Sequence, residues 1–403
     1  MSDVLRVKAM VPVLHAFRME PEMSLADPTY VPSAIAAPAG RSALIAHDGH
    51  RRLVRAWLMT LIVLVFVMVV VGGATRLTGS GLSITEWRPV TGAIPPLNEA
   101  DWLSEFEKYR QIPQYQLLNK GMSLAEFQFI YWWEWGHRQL GRFIGMLMLG
   151  GFILVALRRM VSVKLGAVIF GMGLLLALQG LVGWIMVASG LQPGMVAVAP
   201  IKLTLHLTFA CLFFAALVAM ARLLAPAAGL YSSSREARDK AEAPSLTWPI
   251  VLLALTFVQI ALGGLVAGSR AGWTFNTWPL MDGALVPSAA TLFAGTPWWE
   301  NFVDNPALVQ FNHRIGAYVL LGLALWQAFR LHRAGSAGAG MAALFAATVV
   351  VQAVIGIVTL LLQVPMWAGL LHQAFGLVVL GVAVVQVTDA VLARRGAARP
   401  ARA

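Results

Sequence analysis

Eight apolar stretches dominate the chain, at about residues 54 to 75, 138 to 158, 165 to 188, 202 to 224, 248 to 268, 313 to 331, 339 to 362 and 369 to 392. Each approaches or exceeds the roughly 20 residues an α-helix needs to cross hydrocarbon. The pattern predicts an all-α polytopic membrane protein with eight transmembrane helices. The polar segments between them alternate in charge. Arg51, Arg52 and Arg55, then Arg158, Arg159 and Lys164, then Arg222, Arg235, Arg238 and Lys240, then Arg330 and Arg333, and finally Arg394 and Arg395 all fall on one side. An excess of basic residues marks cytoplasmic loops, so both termini are expected in the cytoplasm and the chain in a bacterial inner membrane.

The longest outer segment, 76–136, exceeds a structureless connection and should hold helices of its own. Within it Ser123-x-x-Glu126, ahead of Phe127 and Phe129, reads as a capping box. The helix it starts would run through His137 into the second span. Residues 1–52 carry no apolar core of signal-peptide length and are expected to form a disordered cytoplasmic tail. Its piece from Val4 to Phe17 reads as a surface segment, or as a transit peptide if the source were a eukaryote.

The apolar pattern repeats. Gly72-Gly73 is answered by Gly263-Gly264, Trp87 by Trp278, Gly92 by Gly283 and Ile94 by Leu285, all 191 residues on. His137-Arg138 and His313-Arg314 align at an offset of 176, and His206 and Phe209 match His372 and Phe375 at 166. Halves of four spans insert with the same orientation, so they form parallel repeats about an axis along the membrane normal. The expected architecture is two four-helix bundles, 53–225 and 248–393, joined by a cytoplasmic linker, 226–247, and followed by a short tail, 394–403.

Composition narrows the function. With 58% hydrophobic and 12% charged residues, the chain lies far outside soluble norms. A formal net charge of +11 raises nucleic acid as a partner, but the basic residues are scattered over loops and termini, which fits topology instead. Cys211, the one cysteine, lies within an apolar run. There is consequently no disulfide framework, no thiolate metal site and no Cys-x-x-Cys-His haem attachment.

Four histidines sit at the outer ends of alternate spans: His137, His206, His313 and His372. Taken singly, each fits an interfacial hydrogen-bonding residue. Taken together, two imidazoles from facing helices can ligate a haem iron from both sides, pairing His137 with His206 and His313 with His372. Arg138, Arg142 and Arg314, with Arg76 and Lys202 as weaker candidates, suit haem propionates; the alternative is contact with lipid headgroups. The halves differ where chemistry would show. Glu134 precedes His137 by three residues, whereas Gln310 holds that place before His313. A carboxylate can serve as a base or stabilise positive charge, so the first half reads as the reaction site and the second as a fixed redox site. The competing reading has Glu134 merely cap the helix or pair with Arg138.

These features, with the run Gly-Gly-Ala-Thr-Arg-Leu-Thr-Gly-Ser-Gly-Leu-Ser from Gly72 to Ser83, resemble haem A synthases of the mitochondrial and alphaproteobacterial type over about residues 54 to 392. The resemblance implies oxidation of the C8 methyl of haem O to the formyl group of haem A, for terminal oxidases. It implies haem b on His313 and His372, substrate haem O on His137 and His206, and a catalytic Glu134. The partners it implies are the farnesyltransferase that makes haem O and oxidase assembly factors; self-association is left open. The outer-loop cysteine pair of some bacterial members has no counterpart here. Two other classes use similar residues: a di-haem transmembrane cytochrome b, and a haem-binding chaperone or transporter.

Overall fold

The computed structural model describes residues 45, 47–226 and 245–397. Most of the expected tail, most of the linker and the last six residues lie outside the described residues, with His15, Arg235, Arg238 and Lys240 among them. Among the described residues, eight helices are long and apolar enough to cross a membrane. They are α1 (Asp48–Leu77), α2 (Leu124–Leu157), α3 (Val163–Gly190), α4 (Pro200–Leu223), α5 (Thr247–Gly268), α6 (Pro306–Arg333), α7 (Ala339–Leu361) and α8 (Met366–Ala397). Among the described residues no strand forms, only an isolated bridge between Met281 and Ala284.

Several helices outrun their apolar stretches, because a helix satisfies its own backbone and needs no hydrocarbon to continue. α1 takes in residues 48–52, which the sequence places in the tail. α2 begins at the expected capping box, where Ser123 Oγ accepts from the Glu126 backbone N–H at 3.3 Å and the Glu126 side chain returns to the Ser123 N–H at 2.8 Å. α6 opens on Pro306, where Asn305 caps Ala307 and Leu308. The long outer segment holds the helices Glu99–Arg110 and Pro113–Leu117 and a 3-10 turn at Thr91–Ala93. Its small core places Tyr109 and Phe127 fully out of solvent beside Ile130 and Tyr131. Burial there pushes the Tyr109 hydroxyl pKa up.

The helices pack in sequence order around two groups of four. α1 touches α2 and α4, with α3 between; α5 touches α6 and α8, with α7 between. The groups meet where α4 lies on α5, α8 lies on α1, and α4 meets α8. Lipid is as apolar as leucine, so helices associate in membranes through close approach and polar contacts rather than hydrophobic burial. The repeated glycine pairs supply that approach. A Cβ at Gly264 would lie 3.0 Å from Thr204 Oγ1, and, outside the pairs, one at Gly268 would lie 2.6 Å from Pro200 Cα. Gln373 Nε2 donates to the Val69 carbonyl at 2.7 Å, and an Arg76 N–H donates to the Ala267 carbonyl at 2.7 Å.

At the opposite end, Arg222 on α4 grips Asp389 on α8 through two hydrogen bonds of 2.6 and 3.0 Å, with the carboxylate side chain 1% exposed. Removing one partner of a buried pair strands the other charge. Asp389→Ala should therefore destabilise the protein by about 3–5 kcal/mol, read as a lowered melting temperature in detergent.

Candidate functional site

All four histidines gather at one end of the bundle, each against a glycine of the preceding helix. A Cβ at Gly183 would lie 2.6 Å from His206 Cε1, one at Gly263 3.2 Å from His313 Cε1, and one at Gly356 2.7 Å from His372 Cε1. At Gly72 the nearest atom is His137 Nε2, at 3.1 Å. The glycine pairs thus divide their work: Gly72 and Gly263 face a histidine, whereas Gly73 and Gly264 face the other helix group, towards Gln373 and Thr204.

His313 and His372 face each other with ring centroids 6.4 Å apart and planes at 84°. Two metal–imidazole bonds of about 2 Å, plus about 1.1 Å from each nitrogen to its ring centre, add to about 6.2 Å. The pair therefore fits the two axial ligands of one iron. His137 and His206 lie near enough to interact electrostatically, but no ring contact joins them. Among the described residues no group of three or more His, Cys, Asp or Glu side chains could hold a bare metal ion. Two neutral imidazoles suit an iron whose other four positions are already filled, as in haem.

Glutamines contact three of the four histidines, and these escaped the reading of the sequence. Gln179, Gln259 and Gln352 each donate Nε2 to the backbone carbonyl of a histidine, at 2.9 Å to His206, 3.0 Å to His313 and 2.9 Å to His372. The same nitrogen stands 3.1 Å from His313 Nδ1, 3.2 Å from His372 Nδ1 and 3.4 Å from His206 Nε2. Each precedes the glycine that faces the same histidine by four residues, so one turn of helix presents both. This Gln-x-x-x-Gly spacing in spans three, five and seven was the signal available.

Glu134 is buried, with both oxygens engaged. Oε2 accepts from Ser83 Oγ at 2.8 Å and from the Ile84 N–H at 2.9 Å, while Oε1 accepts from Arg138 at 3.1 and 2.6 Å. Arg138 also donates to the Ile84 and Glu86 carbonyls. The second half repeats this geometry without the carboxylate. Arg314 donates to Gln310 Oε1 at 2.8 Å and to the Phe275 carbonyl at 2.8 Å, and Gln310 Nε2 donates to the Ala271 carbonyl at 2.7 Å. Phe275 is the counterpart of Ile84 at the offset of 191. Both clamps hold an outer loop against a histidine-bearing helix.

The propionate candidates fare unequally. Arg142 spends its donors on the Pro89 and Arg88 carbonyls and on Gln139, Arg76 gives one to Ala267, and Arg138 and Arg314 grip their loops. Lys202 lies one turn before His206 on the wall of a cavity of about 540 Å³, with Trp184, Ile185 and Met195, and among the described residues its ammonium makes no hydrogen bond. In the outer segment, burial weakens the charge on Lys108, but hydrogen bonds to Glu105 and Glu86 outweigh it and hold its pKa above the usual range.

Residues 55–384 match the cytochrome oxidase assembly protein family. The chain belongs to the haem A synthase family. It is 58% identical over 346 residues to the haem A synthase of Methylobacterium sp. (strain 4-46), covering 85% of this chain and 93% of that protein. It is 57% identical to the haem A synthase of Methylobacterium nodulans, over 82% of this chain and 90% of the relative. The haem A synthase of Bradyrhizobium sp. (strain ORS 278) is 51% identical over 83% of this chain and 90% of its own length.

Proposed function

We propose that this chain is a haem A synthase, an oxidoreductase that converts the C8 methyl group of haem O to a formyl group for terminal oxidases. The observation that carries the reading is the 6.4 Å separation of His313 and His372, which suits axial ligation of a resident haem b. Haem held there would supply one-electron transfer. Substrate haem O would be held by His137 and His206, with Lys202 as a cation for a propionate. The duplicated Gly-His contacts support the reading of two parallel repeats, with the histidine end on the periplasmic side and the basic loops in the cytoplasm. Haem O would come from the farnesyltransferase, and haem A would pass on to oxidase assembly.

Methyl to formyl takes one water and releases four electrons and four protons. Positive charge develops at the reacting carbon as electrons leave, and a fixed carboxylate nearby favours it. Glu134 is the candidate, three residues from His137 on the same face of α2. Ser83, the Ile84 N–H and Arg138 fix its position.

A di-haem electron carrier needs haems near both membrane faces to move electrons across, whereas all four histidines lie at one end. Extracting and chromatographing pigments from cells that make this protein together with haem O decides the matter. Haem A and its hydroxylated precursor should appear; recovery of haem O alone would overturn the reading in favour of a carrier or chaperone.

A further inference from the structure

The glutamines divide the four histidines three to one. Gln179, Gln259 and Gln352 leave Oε1 buried with no hydrogen-bond partner, although each Nε2 is pinned on a histidine carbonyl. A buried amide oxygen without a donor is costly, and three at equivalent places point to a shared missing donor. A neutral imidazole that ligates through one ring nitrogen carries its proton on the other and needs an acceptor for it; the amide beside that second nitrogen, 3.1 Å from Nδ1 of His313, 3.2 Å from Nδ1 of His372 and 3.4 Å from Nε2 of His206, supplies one when its oxygen turns to the ring. His137 has no such partner. The position equivalent to Gln259, 191 residues earlier, is Met68, four residues before Gly72. No hydrogen bond reaches the His137 ring among the described residues, and its Nε2 faces Gly72 where the other rings present Cε1 to their glycines.

We propose that Gln179, Gln259 and Gln352 are positioning residues that anchor His206, His313 and His372 as firm ligands, and that Met68 leaves His137 as the exchangeable ligand of the substrate site. The inference rests on the ligand assignment above. An outer-sphere acceptor fixes the tautomer and raises the basicity of the imidazole, and losing one typically costs about 10- to 100-fold in metal affinity. His313 and His372 are both anchored, which suits a haem that stays. The first half has one anchored ligand, His206, and one free ring, which suits a haem that must be taken up, handled and released.

Exchanging the two side chains tests this, because each half already tolerates the residue in that frame. In purified protein carrying its haem, Gln259→Met should lower haem retention about 10-fold or more, raise the midpoint potential of the second-half haem and shift its low-spin electron paramagnetic resonance signal. A less basic ligand favours ferric iron less, which sets the sign of the potential change. Met68→Gln should slow exchange of haem at the first-half site about 10-fold, measured as transfer to apomyoglobin, with the second-half signal unmoved. Unchanged potential, spectrum and exchange in both variants would overturn the inference. His313→Ala is the control: if it keeps the second-half haem, the ligand assignment itself fails; if it loses that haem while Gln259→Met changes nothing, only the role of the glutamines fails.

Discussion

Alanine at His313 or His372 is expected to empty the second-half haem site almost completely. On the proposed assignment each ring supplies one of two axial positions, at a ring separation of 6.4 Å. With one ligand gone, the remaining imidazole faces iron from one side only. The glutamine that contacted the lost ring, Gln259 or Gln352, would keep its unpartnered oxygen and lose its ring contact. Haem content per protein, from the pyridine haemochrome spectrum, should fall by about one equivalent in either variant, with no recovery on adding haem. The melting temperature should fall too. A ligand present at a thousandfold its dissociation constant adds about 4 kcal/mol to the folded state, and that contribution disappears with the haem. Retention of a full equivalent in both variants would remove this pair from the ligand set.

The sequence carried the fold in its apolar runs, since length and hydropathy alone define a crossing helix. It also carried the entry to α2, because Ser123 and Glu126 satisfy each other locally. Contacts across long separations were not legible. Arg222 and Asp389 stand 167 residues apart, and nothing in their neighbourhoods names the partner. The arginines beside the histidines were legible as charges but not as loop clamps, because side-chain direction depends on where residues 84–89 and 275–280 return to the bundle. Gln179, Gln259 and Gln352 were legible in principle. An amide inside a membrane span is costly enough to ask for a partner, and its spacing from glycine repeats three times. The pattern was masked because the fourth instance, at Met68, departs from it.

Glu134→Gln is expected to abolish haem A formation while leaving the protein folded and able to bind haem. The second half already shows what an amide does in this place: Gln310 accepts from Arg314 and holds the outer loop through Ala271. In the first half, an amide oxygen can still accept from Arg138, while its nitrogen would meet Ser83 Oγ, which can accept, and the Ile84 N–H, which cannot. One hydrogen bond to a charged group is lost, and Arg138 keeps the Ile84 and Glu86 carbonyls. The cost should be about 1–3 kcal/mol, within what a folded domain tolerates. Turnover responds differently, because an amide bears no charge to stabilise a developing cation and cannot take a proton. A loss of about 100-fold or more is expected, of the size seen when a positioned acid–base or electrostatic group is removed. Haem O, or its hydroxylated product, should accumulate on the protein, with haem content near that of the unsubstituted chain. Haem A production at the ordinary rate would show that the carboxylate serves only as the loop clamp that Gln310 provides on the other side.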